Sequence, residues 1–448
     1  MKPPAPPLPE AFCAAKWLQV TIDLANGTTH SCHHPERHRI PEEELKTNPS
    51  ALHNTSFKKS VRRQMLEGIR PKECSFCWKL EDETATGISD RFIKSSDPWA
   101  APYLDNLLKM PWDADVNPTY LEVMLDDLCN CSCIYCLGSI STSVASEMHR
   151  HGPYPVAAWR NRMPLPNPPR DPQVYSDAFY RWLPEILPSL HVLRITGGEP
   201  LLSPKWAQLQ ALLRGQKSPK LTLALNSHLS HPPDRFDAFL KDFRALKDSG
   251  HVGALELFTS LDAWGGEAEY IRHGLELELW QRNIRAFAEA LPGTPIIVMC
   301  TFNLLSFSGI RKLLEEILEM KKIHSQLCID AALLRYPEYL FPDLATPELK
   351  AKLTSALDFM KAARQPGFTT HEIQKFQNIH EALECPMAEE ELARLRADFY
   401  RFIHEFDRRK GSVFLTHFSE YRDFLIECKK AFLATLGSSG SRPGSLTP

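Results

Sequence analysis

"TYLEVMLDDLCNCSCIYCLG", residues 119–138, carries a strand and a metal-ligand pattern in one stretch. The first part, 119–126, is apolar and reads as a β-strand. The second part crowds four cysteines into eight positions: Cys129, Cys131, Cys133 and Cys136. Cys129, Cys133 and Cys136 form C-x3-C-x2-C directly after the strand. Three thiolates from one short loop can hold three irons of a 4Fe–4S cluster and leave the fourth open to a small molecule. Cys131 does not fit this spacing and reads as a bystander or a switchable ligand. The other reading is a closed zinc site, which needs a fourth ligand such as Asp126 or Asp127.

Working outward, five more strand-like segments follow the first: "HVLRITG" 191–197, "LTLALNS" 221–227, "ALELFTSLD" 254–262, "PIIVMCTFN" 295–303 and "QLCIDAALL" 326–334. Between them lie helical stretches at 177–187, 204–215, 233–250, 277–291 and 308–322. Strand–helix alternation repeated six times predicts a parallel sheet with crossover helices, as a partial barrel or a doubly wound sheet. A Pro-rich segment, 151–172, with Tyr154, Trp159, Arg160 and Arg162, interrupts the first unit. It reads either as a surface excursion or as a wall of the substrate site.

The strand ends carry polar motifs, and in parallel α/β folds active sites lie at strand carboxyl ends. "TGGEPLL", 196–202, closes the second strand with Gly197, Gly198 and Glu199; Asn226 closes the third; Ser260 and Asp262 close the fourth. Two glycines let backbone come close to a ligand, and Glu199 offers a carboxylate to an ammonium group. Each motif alone also has a structural explanation: a tight turn, a turn residue, a helix cap.

With Cys129, Cys133 and Cys136, then "GGEP" 197–200, then "SLD" 260–262, the chain resembles the radical S-adenosylmethionine superfamily over roughly residues 119–335. The resemblance implies α/β architecture with a partial (β/α)6 TIM-like barrel. It also implies that the open iron of a three-cysteine 4Fe–4S cluster chelates S-adenosylmethionine. Reductive cleavage would give methionine and a 5′-deoxyadenosyl radical, which abstracts a hydrogen from substrate. By position, Gly197, Gly198 and Glu199 would cradle the methionine amino group. Asn226, Ser260 and Asp262 are candidates for ribose and carboxylate, Arg272 for pairing with the carboxylate, and Tyr135 for a place near the adenine. An electron donor such as flavodoxin or ferredoxin is implied as well.

The amino-terminal part has its own cysteines. "CAAKWLQVTIDLANGTTHSC", 13–32, reads C-x13-G-x4-C, and "CSFC", 74–77, adds a C-x2-C. "LQVTIDL" followed by "ANG" predicts a β-hairpin carrying the first pair. Cys13, Cys32, Cys74 and Cys77 can close a zinc site or ligate a whole cluster, and spacing alone does not separate the two. This pattern is similar to the auxiliary-cluster modules called SPASM and twitch. Placed before the barrel, it resembles the twitch-domain-containing radical proteins, as do 52–68, "GISDR" and "FDRRKGSVFLTHFSEY", 406–421. That resemblance implies a second, four-cysteine 4Fe–4S cluster. His33 and His34 follow Cys32 where relatives often have another cysteine; they read as surface or structural residues, or as groups that ligate or tune the cluster.

The implied organisation is a disordered start at 1–12, a twitch-like auxiliary-cluster module at 13–118, the barrel at 119–335, a helical carboxy-terminal extension at 336–436 and a flexible tail at 437–448. The composition, 43% hydrophobic and 24% charged, is that of a globular protein, and a net charge of −3 implies no general attraction to nucleic acid or anionic membrane. No run is long enough to span a bilayer and no secretory signal opens the chain, so a cytoplasmic setting with reduced thiols is expected. Three functions follow: a radical enzyme acting on a peptide or protein (crosslinking, epimerisation or dehydrogenation), a radical enzyme acting on a small molecule such as a sugar or cyclitol, or a non-catalytic metal protein. Association of such auxiliary modules with peptide-modifying relatives favours the first.

Overall fold

The computed structural model describes residues 10–83, 88–157, 171–364 and 367–438. Of the ends expected to be unstructured, 1–12 and 437–448, residues 1–9 and 439–448 lie outside the described residues, as do Trp159, Arg160 and Arg162. Ala11 and Phe12 are buried, and the Phe12 ring stacks on Trp17 at 4.7 Å.

The strands in chain order are β1 Gln19–Asp23, β2 Thr28–His30, β3 His38–Arg39, β4 Tyr120–Met124, β5 Ser132–Cys133, β6 Val192–Thr196, β7 Ser218–Ser227, β8 Val252–Ser260, β9 Arg272–His273, β10 Ile296–Phe302 and β11 Leu327–Leu333. All six strands expected from the sequence form, as β4, β6, β7, β8, β10 and β11. The chain divides into two units: residues 1–128, 167–226 and 241–256, and residues 129–166, 227–240 and 257–448. Strand β8 contributes its first residues to one and its last, from Leu257, to the other.

In the first unit β4, β6 and β7 run parallel, with Leu121 opposite Leu193 and Leu193 opposite Leu223. Sheet neighbours follow chain order here, as do β10 and β11 beside the end of β8 in the second unit. A doubly wound sheet requires a reversal of strand order, whereas a partial barrel requires this sequential one. The result is a mixed α/β fold with parallel strands and many helices, compatible with a partial barrel. The crossover helix Gln173–Ile186 turns Tyr175, Phe179, Trp182, Leu183 and Ile186 inward, the spacing that puts side chains on one helical face.

The expected hairpin is present, with Asp23 opposite Thr28 and the Asp23 carboxylate accepting from the amides of Ala25 and Asn26 at 3.1 and 3.0 Å. Its first strand also pairs parallel with β4, Gln19 opposite Tyr120 through Asp23 opposite Met124. The amino-terminal segment therefore extends the parallel sheet. All five residues of β1 are buried, so the strand lacks the alternation that marks a half-exposed strand.

The stretch 52–68 forms the helix Ser56–Leu66, capped by Thr55. Its buried Arg62 donates to the Lys16 carbonyl, the Asn54 side chain and the Ala114 carbonyl at 3.2, 3.0 and 3.3 Å. Lys58 Nζ lies 2.7 Å from His53 Nδ1, and His53 Nε2 donates to the Trp17 carbonyl at 2.7 Å. Three distant pieces of chain are tied by one satisfied polar network, which accounts for the basic residues on a buried face.

The carboxy-terminal part of the second unit is helical, as expected: Pro347–Ala362, Thr370–Ala382, Glu389–Lys410 and Arg422–Ser438. Glu389–Lys410 has three glutamates in its first turn and Arg408, Arg409 and Lys410 in its last, charges that complement the helix dipole. Asp407 near its end accepts from Tyr270 at 2.8 Å, Ser412 at 3.0 Å and the Phe414 amide at 2.8 Å. No described helix is long and apolar enough to cross a membrane.

Candidate metal centres and cofactor residues

Cys129, Cys133 and Cys136 belong to the second unit, on a loop braced at several points. Thr142 Oγ1 accepts from the Cys129 amide at 3.1 Å, and Ser143 Oγ donates to the Cys129 carbonyl at 2.6 Å. Cys133 sits in β5, paired antiparallel with β9 so that it faces Arg272. The Cys136 amide bonds the Cys133 carbonyl at 2.9 Å, and the Ile134 amide bonds the Ile271 carbonyl at 2.8 Å. The chain passes close to this loop at Gly274, where an added Cβ would meet the Asn130 carbonyl at 2.9 Å and φ is +99°. Only glycine fits there without strain.

The three thiols interact electrostatically. Burial pushes Cys133 up to about 11, with Arg272 lowering it and Cys129 raising it. Burial also raises Cys136, and the thiols of Cys133 and Cys129 raise it further. Thiols that hinder each other's ionisation suit a cation that takes them all as thiolates. The donor set thus fits an iron–sulfur cluster held at three corners. Cys131 is buried, and its carbonyl accepts from Ser141 at 3.1 Å.

Beside the loop stands a buried triad. Asp262 is 0% exposed, and its carboxylate receives Tyr135 Oη at 2.6 Å, Arg272 Nη2 at 3.0 Å and the Thr301 amide at 2.7 Å. Arg272 Nε lies 2.9 Å from the second carboxylate oxygen. Burial works against the Arg272 charge, but Asp262, then Tyr135 and Cys133, hold it well above its ordinary value. Burial keeps Tyr135 protonated, so its hydroxyl remains a donor. Ser260 ends β8 opposite Met299 of β10.

Gly197, Gly198, Glu199 and Asn226 belong to the first unit. A Cβ on Gly197 would lie 2.5 Å from the Asp126 carbonyl, and one on Gly198 would lie 2.5 Å from the Leu128 carbonyl. The close approach allowed by these glycines is to the end of β4. Their turn is fixed by bonds from the Gly198 amide to the Asp126 carbonyl at 3.1 Å and from the Glu199 amide to the Leu128 carbonyl at 2.7 Å. Glu199 is 1% exposed, and its carboxylate caps the Leu201 amide at 3.2 Å. Asn226 accepts from Arg194 Nε at 2.9 Å. Asp126 is engaged by Ser203 and by the Leu128 amide.

The amino-terminal cysteines come together within the first unit. Cys13, Cys32, Cys74 and Cys77 line one recess of about 400 Å³, with Lys16, His34 and Arg91. Cys74 ends a 3-10 turn, Lys72–Cys74, and Cys77 lies in the helix Ser75–Glu83, three residues on and so on the same side. Cys13 and Cys77 are built into a core with Phe12, Trp17, Trp78 and Trp99. Burial pushes Cys74 up to about 12, with Lys16 opposing, and raises Cys13, with Cys32 and Cys74 adding to it. Lys16 is buried and paired with Glu73. Four sulfurs around one recess fit a tetrahedral metal or a fully ligated cluster. His34 bonds Asp90 at 2.7 Å and stacks on Phe76 at 3.8 Å.

Sequence reasoning missed Thr142, Ser143 and Gly274 around the cysteine loop, and Lys16 and Arg91 around the four-cysteine recess. The one available signal was the glycine ending "EYIRHG". The others lie outside any spacing motif and reach their sites through tertiary packing.

Neither protein-family profiles nor curated proteins match this chain. Among solved structures it is similar to SuiB of Streptococcus suis, at 14% identity, covering 77% of this chain and 68% of that one, with a TM-score of 0.36. It is similar also to SuiB bound to the precursor peptide SuiA, at 13% identity, 78% and 70% coverage and a TM-score of 0.34. With S-adenosylmethionine-bound SuiB the identity is 12%, the coverage 77% and 69%, and the TM-score 0.36.

Proposed function

We propose that this protein is a radical S-adenosylmethionine enzyme acting on a peptide or protein. The observation that carries the reading is the three-thiol loop: Cys129, Cys133 and Cys136 share one electrostatic environment directly after a parallel strand, with the Tyr135–Asp262–Arg272 triad beside them. Cys129, Cys133 and Cys136 would hold a four-iron cluster there, which when bound would supply the one-electron reduction that cleaves S-adenosylmethionine and starts hydrogen abstraction from the substrate.

The residues of this chain have defined parts in that reading. Cys129, Cys133 and Cys136 hold the cluster. Glu199 takes the methionine ammonium, with Gly197 and Gly198 fixing its turn. Asn226 and Ser260 are ribose ligands. Arg272 presents a charge to the methionine carboxylate, and Asp262 holds Arg272 and Tyr135 in place while Tyr135 borders the adenine. Cys13, Cys32, Cys74 and Cys77 hold a second, auxiliary cluster. A flavodoxin or ferredoxin would serve as electron donor.

The substrate class is supported by shape. A polar cavity of about 960 Å³, including its open mouth, lies in the second unit and is walled in part by Asn130 and Ser132 of the cysteine loop. A small-molecule site is more closed and more apolar, whereas an open groove suits a chain. The reading is tested by anaerobic reconstitution followed by incubation with dithionite and S-adenosylmethionine. About eight irons per chain and formation of 5′-deoxyadenosine are expected; zinc in place of iron, with no cleavage, would overturn it.

A further inference from the structure

The same cavity has a charge pattern that the proposed chemistry does not use. Its lining includes three cations, Arg150, Arg409 and Lys410, against one carboxylate, Glu147. Glu147 is already engaged: Tyr154 donates to it at 2.5 Å, Lys410 pairs with it, and Arg409 Nη1 lies 3.5 Å away. The Arg409 side chain is 1% exposed; its Nε pairs with Glu405 at 2.7 Å and its Nη2 reaches the carbonyls of His151 and Pro153, yet its Nη1 donates no hydrogen bond. A buried guanidinium donor without an acceptor is uncommon and calls for one. Arg150, exposed at the cavity edge, makes no hydrogen bond or ion pair among the described residues. With Lys410 paired to Glu147 and Arg409 to Glu405, Arg150 remains as uncompensated positive charge beside the unfilled Arg409 donor, a setting for a carboxylate or another oxyanion.

The cavity also has a direction. It follows the helix Thr142–His151, whose first-turn Thr142 and Ser143 grip the Cys129 backbone and whose last turn carries Arg150. Eight helical steps make roughly 12 Å, about the reach of four extended residues.

We infer that this cavity binds an acidic stretch of the substrate peptide, with an aspartate or glutamate side chain at Arg150 and Arg409 about four residues from the segment that lies against the cysteine loop. The inference rests on the peptide reading above and adds the recognition element. Oxyanions other than carboxylate, such as phosphate, share this chemistry and are separated by the test.

The probes are a fluorescein-labelled octapeptide of alanine and glycine ending in two aspartates, and its asparagine counterpart, followed by anisotropy on the cluster-loaded protein. The aspartate peptide should bind about tenfold or more tightly than the asparagine one, and less so as salt rises. Arg150→Gln should erase that preference, and Arg150→Lys should restore most of it. Equal binding of the two peptides, no binding of either, or an unaffected Arg150→Gln protein would overturn the inference. Displacement by inorganic phosphate at concentrations as low as those of the peptide itself would also overturn it, by marking a phosphate site. Binding is read without turnover. Aspartate preference without cofactor cleavage would therefore sink only the radical reading, and cleavage without preference would sink only this inference.

Discussion

The two cysteine sites are built on opposite plans. The amino-terminal one draws Cys13, Cys32, Cys74 and Cys77 from separate pieces of chain into a recess backed by Trp17 and Trp78, two of its thiols lying inside the hydrophobic core. The other takes Cys129, Cys133 and Cys136 from one loop, half-buried, edged by hydroxyls and an open cationic cavity. A four-sulfur site that is part of a core leaves no free coordination position and couples metal binding to folding. A three-sulfur site on a braced loop leaves a position open and can lose its metal at less structural cost. On the proposed reading the difference would separate a structural or electron-relay centre from a reacting one, and experiments can break that separation.

The largest effect is expected from Cys129→Ala, Cys133→Ala and Cys136→Ala together. Formation of 5′-deoxyadenosine should disappear and iron should fall from about eight to about four per chain, with circular dichroism nearly unchanged. Full iron content in this variant would place the reacting cluster elsewhere. Cys74→Ala with Cys77→Ala should behave in the opposite way. Folded protein should be lost first, by about 5 kcal/mol or more on thermal denaturation, because a metal held there would tie the core together. A stable fold with cofactor cleavage but no product would identify the site as an electron relay instead.

The braces of the open site come next. Asp262→Asn leaves Arg272 buried without its counter-charge and should cost about 3–5 kcal/mol, read as a lower thermal midpoint. Glu199→Ala should weaken S-adenosylmethionine binding by about ten- to a hundredfold, from a charge-assisted contact of about 1.5–3 kcal/mol, with iron content unchanged in calorimetry on the loaded protein. Unchanged binding would remove Glu199 from the cofactor site.

The smallest effect is one of pH. Burial lowers His53 well below its ordinary value, with Lys58 and Arg62 adding to it, and burial lowers His38 to about 3. Groups with a depressed folded pKa let the unfolded chain take up protons that the folded one refuses. Stability is then full above about pH 6.5 and declines as pH falls towards the folded values. Fluorescence of Trp17 and its neighbours should report a falling midpoint from pH 6.5 to pH 5, and His53→Gln should flatten the slope. In the second unit Glu147 is held below its ordinary value despite burial, by Lys410 and Tyr154, so its contribution is lost only below about pH 4.5.

Much of this was legible in the chain. The six parallel strands and their helices were readable because each is a continuous apolar or amphipathic segment, as in "PIIVMCTFN" and in the helix Leu277–Ala290 with Trp280, Ile284 and Phe287 inward. The pairing of β1 with β4 was not, since a wholly buried five-residue strand has no period to read. Gly197 and Gly198 were flagged as positions of close approach, but what they approach, the carbonyls of Asp126 and Leu128, is set by packing.

By itself the sequence determined what depends on neighbours along the chain: the C-x3-C-x2-C loop, the hairpin, the capped helices and the strand ends with their polar residues. Tertiary structure alone decided what depends on separation. It brought Cys13 and Cys32 to Cys74 and Cys77, placed Asp262 against Tyr135 and Arg272 across 127 and 10 residues, and set Lys410 on Glu147 across 263. Local conformation follows from steric and hydrogen-bonding preferences a few residues long. The meeting of distant charged and sulfur groups requires loops to close and a core to form around them, and no spacing rule encodes that.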